Sequence, residues 1–183
     1  MSTVSNRKGS ATITTPSDTE IVITRVFVAP AALIWQAWTT PELVQRWWGF
    51  DSSQWKVCEI DLRVGGTWRF VTLDQGDLEH ADDYPAEIAE QIKATGHFEV
   101  GFHGEYLEID APRRLVSTEV YEGMADAETV NTMTLDEVDG VTTMTTVVSH
   151  TTKEMRDGQL ASGMETGMQV SYDRLEDVAR SLA

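Results

Sequence analysis

Cys58 is the sole cysteine of this 183-residue chain. An internal disulfide is therefore excluded, and a reducing compartment such as the cytoplasm is the expected location. Positive charge is scarce too: 14 Lys and Arg stand against 30 Asp and Glu, a formal net charge of -16. Phosphate backbones are bound by clustered cations, so nucleic acid is excluded as a partner and an anionic membrane surface is disfavoured. Solubility, or a salt-adapted source, accounts for such a charge without any partner. No apolar run approaches the roughly 20 residues that span a bilayer. Residues 1–18 are rich in Ser and Thr and lack an apolar stretch, so they are expected to be a disordered tail rather than a signal peptide or anchor.

Chemistry-bearing motifs are missing as well. There is no Walker loop, no dinucleotide glycine fingerprint, no Gly-x-Ser-x-Gly elbow and no His-Glu-x-x-His. His80, His97, His103 and His150 are scattered, no His/Cys spacing suits zinc, and Cys58 has no recognisable catalytic partner. Neither a metal nor a cofactor is expected.

What is present is secondary-structure pattern. Residues 20–28 are rich in β-branched types and read as a first strand. Pro30 opens a helix on which Leu33, Ile34, Ala37 and Trp38 share a face, and Thr40-Pro41 starts a second short helix reaching Trp47 or Trp48. Strands are expected at 55–61 and 67–73 around Gly65-Gly66, then at 98–109, 115–121, 129–135 and 142–149, with Asp139-Gly140 at the last turn. A long helix closes the chain, with Thr151 and Glu154 as a capping box and Met164, Met168, Leu175 and Leu182 on its apolar face. This is an α+β order: a curved antiparallel sheet of six to seven strands around one long C-terminal helix, with two short helices after the first strand. Residues 19–183 are read as one domain.

Several motifs then occur together: Ala37-Trp38-Thr39 with Trp47-Trp48-Gly49, Gly65-Gly66-Thr67-Trp68-Arg69-Phe70, and Phe102-His103-Gly104-Glu105-Tyr106. The run from Gly163-Met164 through Gly167-Met168 to Tyr172-Asp173-Arg174-Leu175 completes the set. Over residues 21–182 the chain resembles the START-like (helix-grip, SRPBCC) superfamily, in the branch similar to the C-terminal domain of activators of the Hsp90 ATPase. The resemblance implies a hydrophobic cup gripped by the last helix. The chain departs from the family in an acidic insertion at 74–97, where Asp83 and Pro85 suit a helix start, Ile88 and Ile92 share a face and Gly96 suits the end. It reads either as a solvated decoration or as a lid over the cup.

Strand alternation combined with the family's apolar positions gives the inward set. Leu115, Ser117, Glu119 and Tyr121 share one face. Trp68, Phe70 and Tyr106 join them, as do Asn131, Met133 and Leu135 on the next strand and Met144, Thr146 and Val148 on the last. Trp38, Met164, Met168 and Tyr172 complete the candidate wall, and His103, Glu119 and Asn131 are candidates to orient a polar group. Four inward polar positions (Ser117, Glu119, Asn131 and Thr146) suit a cavity better than a solid core, because an unpaired buried polar group costs about 1–3 kcal/mol. Glu119 reads either as a buried carboxyl with a raised pKa or as a rim group paired with Arg69, Arg113 or water. His103 reads as structural or as a ligand contact. Gly163 and Gly167 are costly inside a helix, and either close packing or ligand volume would explain them.

Three functions follow from the resemblance. The first is binding of an apolar or amphipathic small molecule. The second is an enzyme similar to the superfamily's cyclase-like and aromatase-like members, with Glu119 or His103 moving protons. The third is a co-chaperone of an Hsp90-type ATPase, disfavoured because the motifs leave no room for the separate N-terminal domain of such activators. Homodimerisation through an exposed strand edge stays open.

Overall fold

The computed structural model describes residues 9–49 and 53–183. Its first element, β1 (Thr12–Thr14), lies in the segment expected to be a disordered tail. That expectation is corrected over residues 9–14, while residues 1–8 lie outside the described residues. β1 pairs antiparallel with β2 (Glu20–Phe27), Ile13 opposite Ile23. The Gln169 side chain brackets buried Ala11, accepting from its N–H at 3.0 Å and donating to its carbonyl at 2.7 Å. A segment rich in β-branched Thr suits a pleated edge strand once a partner fixes it.

After β2 come α1 (Ala31–Thr39) and α2 (Pro41–Val44). Pro41 opens α2, and single-turn hydrogen bonds then carry the chain to Trp48, whose N–H donates to the Val44 carbonyl at 3.0 Å. Trp35, absent from the expected apolar face of α1, is buried beside Ile34 and Ala37.

The remaining strands form a meander: β3 (Gln54–Ile60), β4 (Thr67–Gln75), β5 (His97–Asp110), β6 (Arg114–Tyr121), β7 (Glu128–Val138) and β8 (Val141–Ser149). The sheet is open and antiparallel, in the order β1-β2-β8-β7-β6-β5-β4-β3. It has eight strands rather than six to seven because β1 adds to the edge. Gly65 turns the β3–β4 connection at φ 78°, and Gly66 is needed there because a Cβ would lie 2.1 Å from the Asp61 carbonyl.

In the insertion, a 3-10 turn (Ala81–Asp83) precedes α3 (Ala86–Thr95), which ends on Gly96 at φ 76° as its sequence foretold. Ile92 is fully buried against Gly76, where an added Cβ would come within 2.4 Å of it.

The C-terminal helix is not continuous. α4 (Lys153–Ala161) and α5 (Met164–Arg180) are separated at Gly163, which sits at φ 78° between them rather than inside a helix. The cap is Thr152, whose hydroxyl accepts from Met155 N–H at 3.2 Å, not Thr151. Among the described residues no helix is long and apolar enough to cross a membrane.

α5 lies in the concave face of the sheet, which makes this the α+β helix-grip architecture. Its C-terminal half is packed, with Tyr172, Leu175, Val178 and Ala179 buried. β2 turns Ile21, Ile23, Arg25 and Phe27 toward that half. Arg25, 1% exposed, places Nη2 2.9 Å from Asp173 Oδ1 and 3.0 Å from Glu176 Oε2. Glu176 also accepts from the Val28 N–H at 2.9 Å, and the guanidinium lies 5.5 Å from the Phe27 ring centre. Removing one partner of a buried ion pair strands the other's charge. Arg25→Ala is therefore expected to cost about 3 kcal/mol, read by equilibrium urea unfolding, and a loss under about 1 kcal/mol would show the pair to be incidental.

Candidate functional site

Between the concave face and the N-terminal half of α5 lies a cavity of about 380 Å³. Its walls differ in chemistry. One is aromatic, from Trp68 and Phe70 of β4, Phe102 and Tyr106 of β5, and Trp48 beyond α2. The Trp48 ring centre stands 5.6 Å from those of both Phe70 and Phe102, and Trp68 stands 4.9 Å from Phe70. Trp47 fixes this corner through its indole N–H, which donates to the Ala37 carbonyl at 2.9 Å, with its ring 4.9 Å from Trp38. Gly104 is required here. A Cβ would come within 2.6 Å of Trp68 Nε1 and 1.9 Å of the Thr118 carbonyl, so glycine lets the indole lie against β5.

Further along the sheet the lining carries a polar patch among apolar residues. Ser117 and Glu119 come from β6, Asn131 and Met133 from β7, Thr146 and Val148 from β8. Ser117 is the cross-strand partner of Asn131, and Thr146 that of Met133, so these groups form one patch. Met164, Gly167, Met168, Ser171 and Tyr172 of α5 face both walls. In the cavity lining, two buried polar atoms have no hydrogen-bond partner among the described residues: Trp68 Nε1 and Thr146 Oγ1, whose approach to the Tyr172 phenol falls short of hydrogen-bond geometry.

Glu119 lies in the wall, not on a rim. Arg69 pairs instead with Glu122, and Arg113 with Asp110, so the expected rim pairing is corrected. Burial pushes the Glu119 carboxyl above the usual carboxylate range, with Asn131 beside it working the other way. Burial likewise raises the phenols of Tyr172 and Tyr106.

Most expected wall residues converge on the cavity: Trp38, Trp68, Phe70 and Tyr106, the polar four with Met133, and Met164, Met168 and Tyr172. Three do not. His103 is on the convex face, because Phe102 and Tyr106 point inward and alternation turns the intervening odd position out. It is exposed and its Nδ1 lies 3.1 Å from Glu122 Oε1. Tyr121 packs on Phe102, ring centres 5.2 Å apart, beyond the cavity's end. Met144 faces inward but sits opposite Arg25, at the level the packed half of α5 fills.

Other lining residues went unforeseen, among them Thr72, Asp74, Val100, Phe102 and Gln159. Continuing the β4 alternation past Phe70 would have found Thr72 and Asp74. Asp74, 6% exposed, accepts a hydrogen bond from Ser53 Oγ at 2.6 Å. No residue of α3, Ile88 and Ile92 included, is among the described lining residues.

Known proteins resemble this chain in family and fold. The model of the family described as "Activator of Hsp90 ATPase homolog 1-like protein" matches residues 28–90 and 87–180, and the chain belongs to that family. No curated protein is similar enough to match. A crystal structure of a Rhodobacter sphaeroides protein is similar at 26% identity and TM-score 0.75, covering 94% of this chain and 99% of that one. Protein Ms6760 from Mycobacterium smegmatis is similar at 23% and 0.72, covering 92% and 96%. Protein NE0264 from Nitrosomonas europaea is similar at 19% and 0.69, covering 91% and 97%.

A raised folded-state pKa means that the folded protein keeps the Glu119 proton longer than the unfolded chain. Wild-type stability therefore falls as pH rises from the ordinary carboxylate range through the raised value. Glu119→Gln removes that loss. The variant is expected to melt above wild type at neutral pH, with the gap closing as pH falls toward the ordinary carboxylate range. A gap that widens toward acid would contradict the burial of this carboxyl.

Proposed function

We propose that the protein binds a small apolar or amphipathic molecule in this cavity. The observation that carries the reading is the pairing of an aromatic wall with a polar patch around a volume of about 380 Å³. Ligand sites of this size combine an apolar lining with a few placed polar groups. A solid core would not tolerate Ser117, Glu119, Asn131 and Thr146 on one concave patch, and a ligand's polar edge would satisfy Trp68 Nε1 and Thr146 Oγ1. The family's superfamily-level resemblance to ligand-binding cups supports the same reading.

One observation favours catalysis as a second reading: Glu119 is a carboxyl facing the cavity whose pKa burial raises, which suits proton transfer. His103 takes no part in it, being on the outer face. Turnover with a bell-shaped rate profile, lost in Glu119→Gln, would establish that role. Action on an Hsp90-type ATPase rests on the family's description alone.

Native mass spectrometry tests binding. The purified protein is expected to carry a mass increment that disappears on denaturation and that Ser117→Leu, which fills the cavity, reduces. An apo mass in both proteins, with no uptake of added apolar molecules, would count against the reading.

A further inference from the structure

Asp74 is a carboxylate in the cavity wall that no cation among the described residues neutralises. Its residue is 6% exposed, and its recorded hydrogen bond comes from Ser53 Oγ at 2.6 Å. The described lining residues include no Lys, Arg or His. Arg174 reaches the same rim from α5, where its Nη1 donates to the Gly49 carbonyl at 2.9 Å. The other acidic lining residue, Glu119, lies at the far end: Trp68, opposite Gly104, stands six residues from Asp74 along β4, about 20 Å of strand. Burial favours its neutral form. Among the described lining residues, the ionisable group that burial does not favour as neutral is Asp74, with the Arg174 guanidinium at the rim beside it.

The inner face of β4 carries the aromatic wall on to the Asp74 end. Phe70, Thr72 and Asp74 succeed one another on the inner face of β4, with Phe102 and Val100 opposite Phe70 and Thr72. Trp48 closes over Phe70 and Phe102 at 5.6 Å from each. Aromatic faces attract cations, and a buried carboxylate does so more strongly, whereas a second carboxylate beside it would meet repulsion and the cost of desolvation together. The chain's net charge of -16 acts in the same direction at longer range.

Building on the binding role argued above, we propose that the cavity selects a protonated amine carried on an aromatic or apolar body, with Asp74 anchoring the cation, and rejects fatty acids and other carboxylates. The two unpartnered polar atoms, Trp68 Nε1 and Thr146 Oγ1, stand farther in and would meet a polar substituent on the body of such a molecule.

Isothermal titration with three probes on one scaffold provides the test: 2-(1-naphthyl)ethylamine, 2-(1-naphthyl)ethanol and 1-naphthylacetate at neutral pH. The expected order is amine, alcohol, carboxylate, with the amine about tenfold or more tighter than the carboxylate. Asp74→Asn is expected to bring the amine to within about twofold of the alcohol. Glu122→Gln, which removes the same charge from the outer face, is expected to keep the amine's preference. Equal or tighter binding of the carboxylate would overturn charge selection while leaving the cavity a binding site. An amine preference that survives Asp74→Asn would also overturn the proposal, since surface attraction would then explain it. No binding of any probe would overturn the cavity reading and this proposal with it.

Discussion

A buried guanidinium decides where the last helix can lie. Arg25 belongs to β2, and its ion pairs with Asp173 and Glu176 fix the C-terminal half of α5 against that strand. Leu175, Val178 and Ala179 fill the space beneath. The other half starts afresh at Gly163 and carries Gly167 and Ser171 among its cavity-facing residues, side chains too small to reach the sheet. A rigid helix seated at one end over a curved sheet leaves a gap at the other. The cavity is that gap.

What the gap offers is then set by strand alternation. β4 and β5 turn Trp68, Phe70, Phe102 and Tyr106 inward, joined by Trp48, while β6 to β8 add Ser117, Glu119, Asn131 and Thr146 among apolar neighbours. Apolar burial contributes about 25 cal/mol per Å² and would favour a filled core here. Four polar groups on one patch work against filling, and the same burial drives the Glu119 carboxyl toward its neutral form. The features that stabilise the fold least are therefore those that define the site.

Much of this was legible in the residues, and the failures have particular causes. Period-two patterning placed six strands of the meander, and Gly65, Gly96 and the Asp139-Gly140 pair marked real turns. The edge strand β1 was not legible, because Thr and Ser serve a tail and an edge strand equally and the deciding contact, Gln169, is 158 residues away. The break at Gly163 is a left-handed glycine between two helical patterns, which the sequence pattern alone does not separate from an interior helix glycine. His103 reads as structural or as a ligand contact from residue type alone, and alternation with Phe102 and Tyr106 is what turns it outward. Met144 shows a different limit: alternation gives a side chain's face but not its depth, and depth is fixed here by where α5 is clamped. Asp74 is still strand, but its acidic surroundings resemble those of the insertion that follows it.

The clamped-helix account is tested most directly by native-state hydrogen exchange along α5. It predicts that amides from Tyr172 to Ala179 exchange only through global unfolding. Amides between Met164 and Ser171 should open locally, at lower free energy, and should gain protection when the cavity is occupied. Uniform protection along the whole helix, indifferent to added ligand, would contradict it.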